Sequence, residues 1–239
     1  MASDVTFDFE RQQRIGLSEA VFCEGKSPAQ IGEIIGLSRA RATPLLLTRL
    51  TSDALAALAA DDQAALDYDP RSRTAILGPW LAPDGEPLVA VVTAGTSDLP
   101  VAREAIRTLA FYDVAAREIA DVGVAGLWRI LAQEEALRRH PVVIVVAGME
   151  GALFSVVAGM VGGLVVAVPT STGYGVAKGG RTALHAALAS CAPGLVTVNI
   201  DNGYGAASAA LRVLGEHRHL AGFEPEPADR ESVVPGASD

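Results

Sequence analysis

Short, unbroken apolar runs alternate with amphipathic stretches through the last two thirds of this chain. Residues 88–92, 142–147, 164–168 and 195–200 are Val-rich and too short for buried helices, so they read as strands. Residues 114–122 add a fifth strand in which apolar and charged positions alternate. Between them, residues 100–111, 124–139, 151–161, 179–192 and 204–214 read as helices. Continuous apolar strands alternating with helices imply a parallel sheet covered on both faces. With right-handed crossovers this is an α/β three-layer sandwich of the flavodoxin or Rossmann kind.

The first third has another texture. Charged, helix-like stretches cover residues 8–22, 27–35 and 45–66, and Ser27 before Pro28 is a good helix start. Residues 80–87, Trp-Leu-Ala-Pro-Asp-Gly-Glu-Pro, are rich in breakers and read as a linker. The expected organisation is therefore a smaller, mainly helical accessory region and linker over 1–86 and an α/β domain over 87–220. Residues 221–239, with Glu-Pro-Glu-Pro-Ala-Asp-Arg-Glu, read as an acidic disordered tail. Residues 151–168 carry no charge, which approaches the length of a membrane span. Gly162-Gly163 and Pro169 divide that stretch, so a helix followed by a strand explains it better.

Composition narrows the function. A net charge of -9 without any basic run argues against nucleic acid and anionic membranes as partners. Two cysteines far apart, Cys23 and Cys191, give neither a disulfide framework nor a metal pair; His140, His217 and His219 have no metal-ligand spacing, and His185 reads as a core or surface histidine. The polar, acidic N-terminus is no secretory signal, so a reduced cytoplasmic setting is expected.

Ligands of such sheets bind beyond the C-terminal strand ends. There the sequence places Gly95-Thr96-Ser97-Asp98, a glycine turn with hydroxyls and a carboxylate at a helix start. It suits either helix capping or a phosphate site built of backbone amides. It has neither dinucleotide-fingerprint nor P-loop spacing, which removes support for ordinary NAD redox or NTPase chemistry. Gly148-Met-Glu150 ends the second long strand, with Glu150 as a dipole partner or an acid/base. The loop containing Ser171 and Gly173 leads through Lys178 and Arg181, candidate anion ligands or simply solvated cations, toward Cys191. Asp201 and Asn202 open a second Gly-Tyr-Gly loop. Cys191 itself stands just before a Pro-Gly break and is a candidate nucleophile; Cys23 reads as incidental.

Four stretches together resemble the LarB family: Thr93-Ala-Gly-Thr-Ser-Asp-Leu-Pro-Val-Ala102, Asp121-Val-Gly-Val-Ala-Gly126, Ala147-Gly-Met-Glu-Gly-Ala-Leu153 and Asn199-Ile-Asp-Asn-Gly-Tyr-Gly-Ala206. Asp8-x-x-Arg11-x-x-Arg14-x-Gly16 and Glu24-Gly-Lys-Ser27 are similar to its N-terminal region. Phe154 stands where that family has proline, a difference that concerns packing. The family is the pyridinium-3,5-biscarboxylic acid mononucleotide synthase of nickel-pincer cofactor biosynthesis, with a catalytic domain like PurE, the aminoimidazole ribonucleotide carboxylase or mutase. The resemblance implies carboxylation of nicotinic acid adenine dinucleotide at pyridine C5, cleavage of its phosphoanhydride, and a homo-oligomer of the PurE octamer kind. It implies carbon dioxide or bicarbonate as co-substrate and no resident cofactor, with Mg2+ on the phosphates left open. By the same resemblance Cys191 is the covalent nucleophile, Glu150 or Asp98 the base, and Gly95, Thr96 and Ser97 the phosphate grip. Gly148, Ser171, Gly173, Lys178, Arg181, Asp201 and Asn202 complete the expected binding set. The alternatives are a PurE-like mutase and a non-catalytic nucleotide-binding protein.

Overall fold

A computed structural model describes residues 5–221, with side chains to residue 215. Its first part runs α1 (Arg11–Ile15), β1 (Ala20–Phe22), α2 (Pro28–Ala40), β2 (Leu45–Thr48), α3 (Ser52–Ala56), α4 (Ala60–Ala65), β3 (Leu66–Asp69) and β4 (Thr74–Leu77). The second runs β5 (Val89–Thr93), α5 (Leu99–Phe111), β6 (Ala116–Ile119), α6 (Leu127–Leu131), α7 (Glu134–Leu137), β7 (Val142–Ala147), α8 (Ala152–Met160), β8 (Leu164–Pro169), α9 (Arg181–Leu188), β9 (Leu195–Thr197) and α10 (Gly203–Ala221).

The second part is the expected α/β sandwich. Its five strands are all parallel in the order β6-β5-β7-β8-β9, a flavodoxin-type winding. β5 and β7 are completely buried Val-rich runs, as a central strand covered on both faces must be. One face is sealed by Ile130, Leu137, Leu153, Phe154, Val157, Ala183 and Ala187, so α6 to α9 lie there. The other is sealed by Ala102, Ala105, Leu109, Ala206, Ala207 and Ala210 of α5 and α10. The chain changes face between β5 and β7, and sheets of this winding bind ligands beyond the carboxyl ends of their strands at that switch point. Phe154 is fully buried in the first core, which matches a packing role.

The first part departs from a mainly helical reading. It is a mixed four-stranded sheet in the order β1-β2-β4-β3, with α2 packed on it. Residues 45–66 form a strand, two short helices and a second strand instead of one helix. Leu45-Leu46-Leu47-Thr48 is buried on both faces, and a continuous apolar run carries no period to separate strand from helix. Residues 8–22 likewise split, because Gly16 takes φ 76° and stops α1 after five residues. Ser27 does cap α2, accepting the Gln30 amide while Gln30 reaches back to the Ser27 amide.

Smaller differences lie in the second part. The stretch 124–139 breaks into a 3-10 turn, α6 and α7. Gly179 and Gly180, at φ 78° each, delay the start of α9 to Arg181, and it ends at Leu188. β9 is shorter than residues 195–200, and α10 continues beyond 214 to Ala221. The expected tail, residues 222–239, lies outside the described residues, as do the side chains of His217 and His219. Among the described residues no helix is long and apolar enough to cross a membrane.

Candidate active site

Four loops at the C-terminal strand ends, those after β5, β7, β8 and β9, are stitched together, and Asp98 joins the first of them to the β8 loop. This side chain is only 3% exposed. Its Oδ2 accepts the Gly95 amide at 3.0 Å and its Oδ1 accepts the Thr170 hydroxyl at 2.7 Å. Burial, reinforced by the nearby Asp201 charge, pushes the Asp98 carboxyl above the usual carboxylate range, against the pull of Thr170, the Gly95 amide and Thr172. Asp98 therefore fixes the Gly95–Asp98 turn to the β8 loop. The Gly95 amide is consumed in that bond, while Thr96 and Ser97 are exposed at the helix start, where first-turn amides have no intrahelical acceptor.

The β7 and β9 loops join the same construction. Met149 donates its amide to the Thr172 carbonyl at 2.9 Å, and Asp201 donates to the Pro169 carbonyl at 2.8 Å. Asp201 Oδ1 in turn accepts the Ser171 amide at 2.8 Å. Gly148 makes this closeness possible: a Cβ there would lie 2.1 Å from the Thr172 carbonyl oxygen and 2.7 Å from Thr170 Oγ1. Gly148→Ala must therefore force the β7 and β8 loops apart. The expected loss is about 1–3 kcal/mol in denaturant unfolding, with weakened phosphate binding. An unchanged midpoint would show that the loops are not held this way.

The first part of the chain closes the crevice. Arg49, after β2, and Ser72 and Arg73, before β4, face Ser97, Ser171, Thr172 and Asp201 across a cleft of about 200 Å³. Glu104 on α5, 4% exposed, ties the two parts together. It pairs with Arg49 Nε at 3.4 Å and accepts the Gly203 and Tyr204 amides at 3.0 and 3.4 Å, which caps α10. Burial raises the Glu104 carboxyl above its ordinary range, opposed by the Arg49 charge and the two amides. Arg49 also donates to the Asp201 carbonyl. Arg49, Arg73, Met149 and Asp201 all adopt left-handed φ of 54–56°, strain that is concentrated around this cleft.

The expected residues thus fall into groups. Gly95, Thr96, Ser97, Asp98, Gly148, Ser171 and Asp201 belong to the stitched loops. Asn202 instead caps α10, accepting the Gly205 amide at 2.7 Å. Glu150 is exposed on the β7–α8 loop next to Met149. Gly173 packs against the Ala177 carbonyl, and Lys178 and Arg181 are exposed on the outer part of the same loop, off the cleft. Among the described residues no cluster of three or more His, Cys, Asp or Glu could hold a metal.

Cys191 is the chief correction. It does not end a helix among the glycine loops; it sits exposed in the turn between α9 and β9. The following strand pairs Leu195 with Val165, near the start of β8, whereas the stitched loops follow Pro169. At the rise of a strand, the four residues from Val165 to Pro169 separate the two ends by about 13 Å. Within one protomer the Cys191 turn precedes β9 and lies beside α8, where Ser190 Oγ is 2.8 Å from Ser155 Oγ, whereas the phosphate turn follows β5. Cys23 is buried, which pushes its thiol up to about 12.

Arg49, Arg73, Glu104, Thr170 and Thr172 were not foreseen. Glu104 carries a sequence signal, a carboxylate on a buried face of α5 that is otherwise Ala102, Ala105, Thr108 and Leu109.

Residues 2–79 match the family described as LarB/PurE-like N-terminal domain, and residues 88–222 match AIR carboxylase. The chain belongs to the LarB family, with a PurE-like catalytic domain. The boundary between the two matched regions falls in the coil between β4 and β5. The LarB chain is 51% identical over 120 residues to the uncharacterized protein MJ0165 of Methanocaldococcus jannaschii. That match covers 49% of this chain and 46% of the relative, so the chain spans about half the length of the curated relative it matches. Among solved structures, Treponema denticola PurE aligns at 21% identity and TM-score 0.40, covering 57% of this chain and 93% of PurE. A PurE2 variant from the same organism gives the same identity and score over 58% of this chain and 93% of its own.

Proposed function

We propose that this LarB-family chain carboxylates nicotinic acid adenine dinucleotide at pyridine C5 and cleaves its phosphoanhydride. The products are AMP and pyridinium-3,5-biscarboxylic acid mononucleotide. The observation that carries this reading is the Thr96–Ser97 turn, locked by Asp98 and Thr170 and faced by two arginines, in a chain of this family. A helix-start turn with hydroxyls and guanidinium groups is suited to a phosphorylated substrate.

The ring chemistry needs a further group. An electron-poor pyridinium cannot attack carbon dioxide. Addition of a thiolate at C4 gives a dihydropyridine whose C5 is enamine-like, and that carbon forms the new C–C bond. A base then takes the C5 proton, and the electron pair of that C–H bond restores aromaticity as the C4–S bond breaks and the thiolate leaves. Water attacks phosphorus to complete the phosphoanhydride cleavage. Family resemblance gives the thiol role to Cys191, whose exposure leaves it open to attack a ring. Since its turn precedes β9 while the phosphate turn follows β5, we take the thiol to reach the phosphate-bound substrate of a neighbouring copy in a homo-oligomer. Both Asp98 oxygens are bound, so Asp98 organises the turn and exposed Glu150 is the base.

Steady-state assays with two substrates test the reading. The expected result is bicarbonate-dependent AMP release from nicotinic acid adenine dinucleotide and no turnover of aminoimidazole ribonucleotide. The reverse preference, or tight dinucleotide binding without AMP release, would overturn it.

A further inference from the structure

The cleft has two differently built walls, and a single phosphate on the Thr96–Ser97 turn uses only one. The opposite wall is Arg73. Its main chain is fixed: the Arg73 carbonyl accepts the Leu50 amide at 2.8 Å, and the adjacent Thr74 hydroxyl accepts from Arg107 Nε of α5 at 2.8 Å. Ser72 Oγ, 2.8 Å from that hydroxyl, also donates to Asp69 at 2.6 Å. The guanidinium stem therefore stands on a platform bolted to the catalytic domain. Its head is spare, because among the described residues the Arg73 side chain has no ion pair or hydrogen bond, whereas Arg49 is held by Glu104 and the Asp201 carbonyl. The two carboxylates on the cleft are also engaged. Glu104 serves Arg49 and two amides, and Asp201 accepts the Ser171 amide.

We propose that Arg73, supplied by the N-terminal domain, is the second half of a diphosphate clamp. One phosphate rests on the Thr96–Ser97 turn, and the next is gripped by the Arg73 guanidinium across the cleft. This rests on the dinucleotide reading above and deepens it. The N-terminal domain selects a substrate that carries a P–O–P linkage over a mononucleotide, and it holds the phosphate that leaves with AMP. A guanidinium matches such a group because its planar donors can meet two phosphate oxygens at once.

Calorimetric titration of the full chain with pyrophosphate and with orthophosphate tests this without relying on any nucleotide. Wild-type protein should bind pyrophosphate more tightly than orthophosphate. Arg73→Ala should weaken pyrophosphate about 10- to 100-fold, the range for losing a charged hydrogen bond, while orthophosphate moves less than about threefold. Arg73→Lys should restore part of the difference, and unchanged thermal unfolding of both variants would show that the fold is intact. The clamp is overturned if wild type does not discriminate the anions, if Arg73→Ala keeps wild-type pyrophosphate affinity, or if both anions are lost equally. A parallel assay with nicotinic acid adenine dinucleotide separates the two claims. Lost pyrophosphate preference in Arg73→Ala, together with no dinucleotide turnover by wild type, would keep the clamp and reject the substrate. Dinucleotide turnover with unaltered pyrophosphate binding would do the reverse.

Discussion

Cys191→Ala should abolish carboxylation, lowering its rate by on the order of 10³-fold or more, because no other group in the proposed site can both add to the ring and leave. Folding should be unaffected, since the side chain is exposed in a turn. An alkylating reagent should modify Cys191 and spare Cys23, which is buried with its thiol pushed up to about 12. The separation of Cys191 from the phosphate turn makes a sharper result available. Glu150→Gln alone should also be inactive. Co-assembled with Cys191→Ala, however, it should regain about a quarter of wild-type activity. In a random mixture that is the fraction of sites pairing an intact Glu150 from one copy with an intact Cys191 from another. Two dead variants that stay dead when co-assembled would place both residues in one protomer's site, or remove one from the chemistry.

Glu104→Ala should be the most damaging single change to stability, at about 3–5 kcal/mol, because it strands one partner of a buried ion pair. Arg49 would lose its carboxylate, and the Gly203 and Tyr204 amides would lose their acceptor. The damage should centre on the start of α10 and on the contact between the two parts of the chain. Hydrogen exchange should show both loosening together. Glu104→Gln retains an acceptor for the amides and should cost distinctly less. Equal losses from the two substitutions would mean that the acceptor for the two amides contributes nothing and that the charge facing Arg49 carries the whole effect.

The architecture of the catalytic domain was legible because its strands are apolar runs of strand length between helical stretches; β7 falls on residues 142–147 as expected. The turn at Gly95 was legible for the same reason, since it directly follows such a run. The N-terminal sheet was not. Leu45-Leu46-Leu47 satisfies a helix and a buried strand equally, and the decision is made by β1 and β4 pairing on either side. Arg49 and Arg73 were invisible because they meet the site only through packing of the N-terminal sheet against α5, joined by Arg107 and Glu104. Cys191 misled for another reason. Proximity in sequence to two glycine loops suggested proximity in space, yet α9 carries the chain back along the sheet. A residue after a crossover helix and before a parallel strand belongs to the opposite edge from the ligand loops.

The most direct measurement is a mass spectrum of the products formed from nicotinic acid adenine dinucleotide and ¹³C-bicarbonate. The expected products are unlabelled AMP and a dicarboxylated pyridinium mononucleotide that carries a single ¹³C. AMP released with an unlabelled, monocarboxylated mononucleotide would contradict the account, for it would make the protein a phosphoanhydride hydrolase that never joins carbon dioxide to the ring.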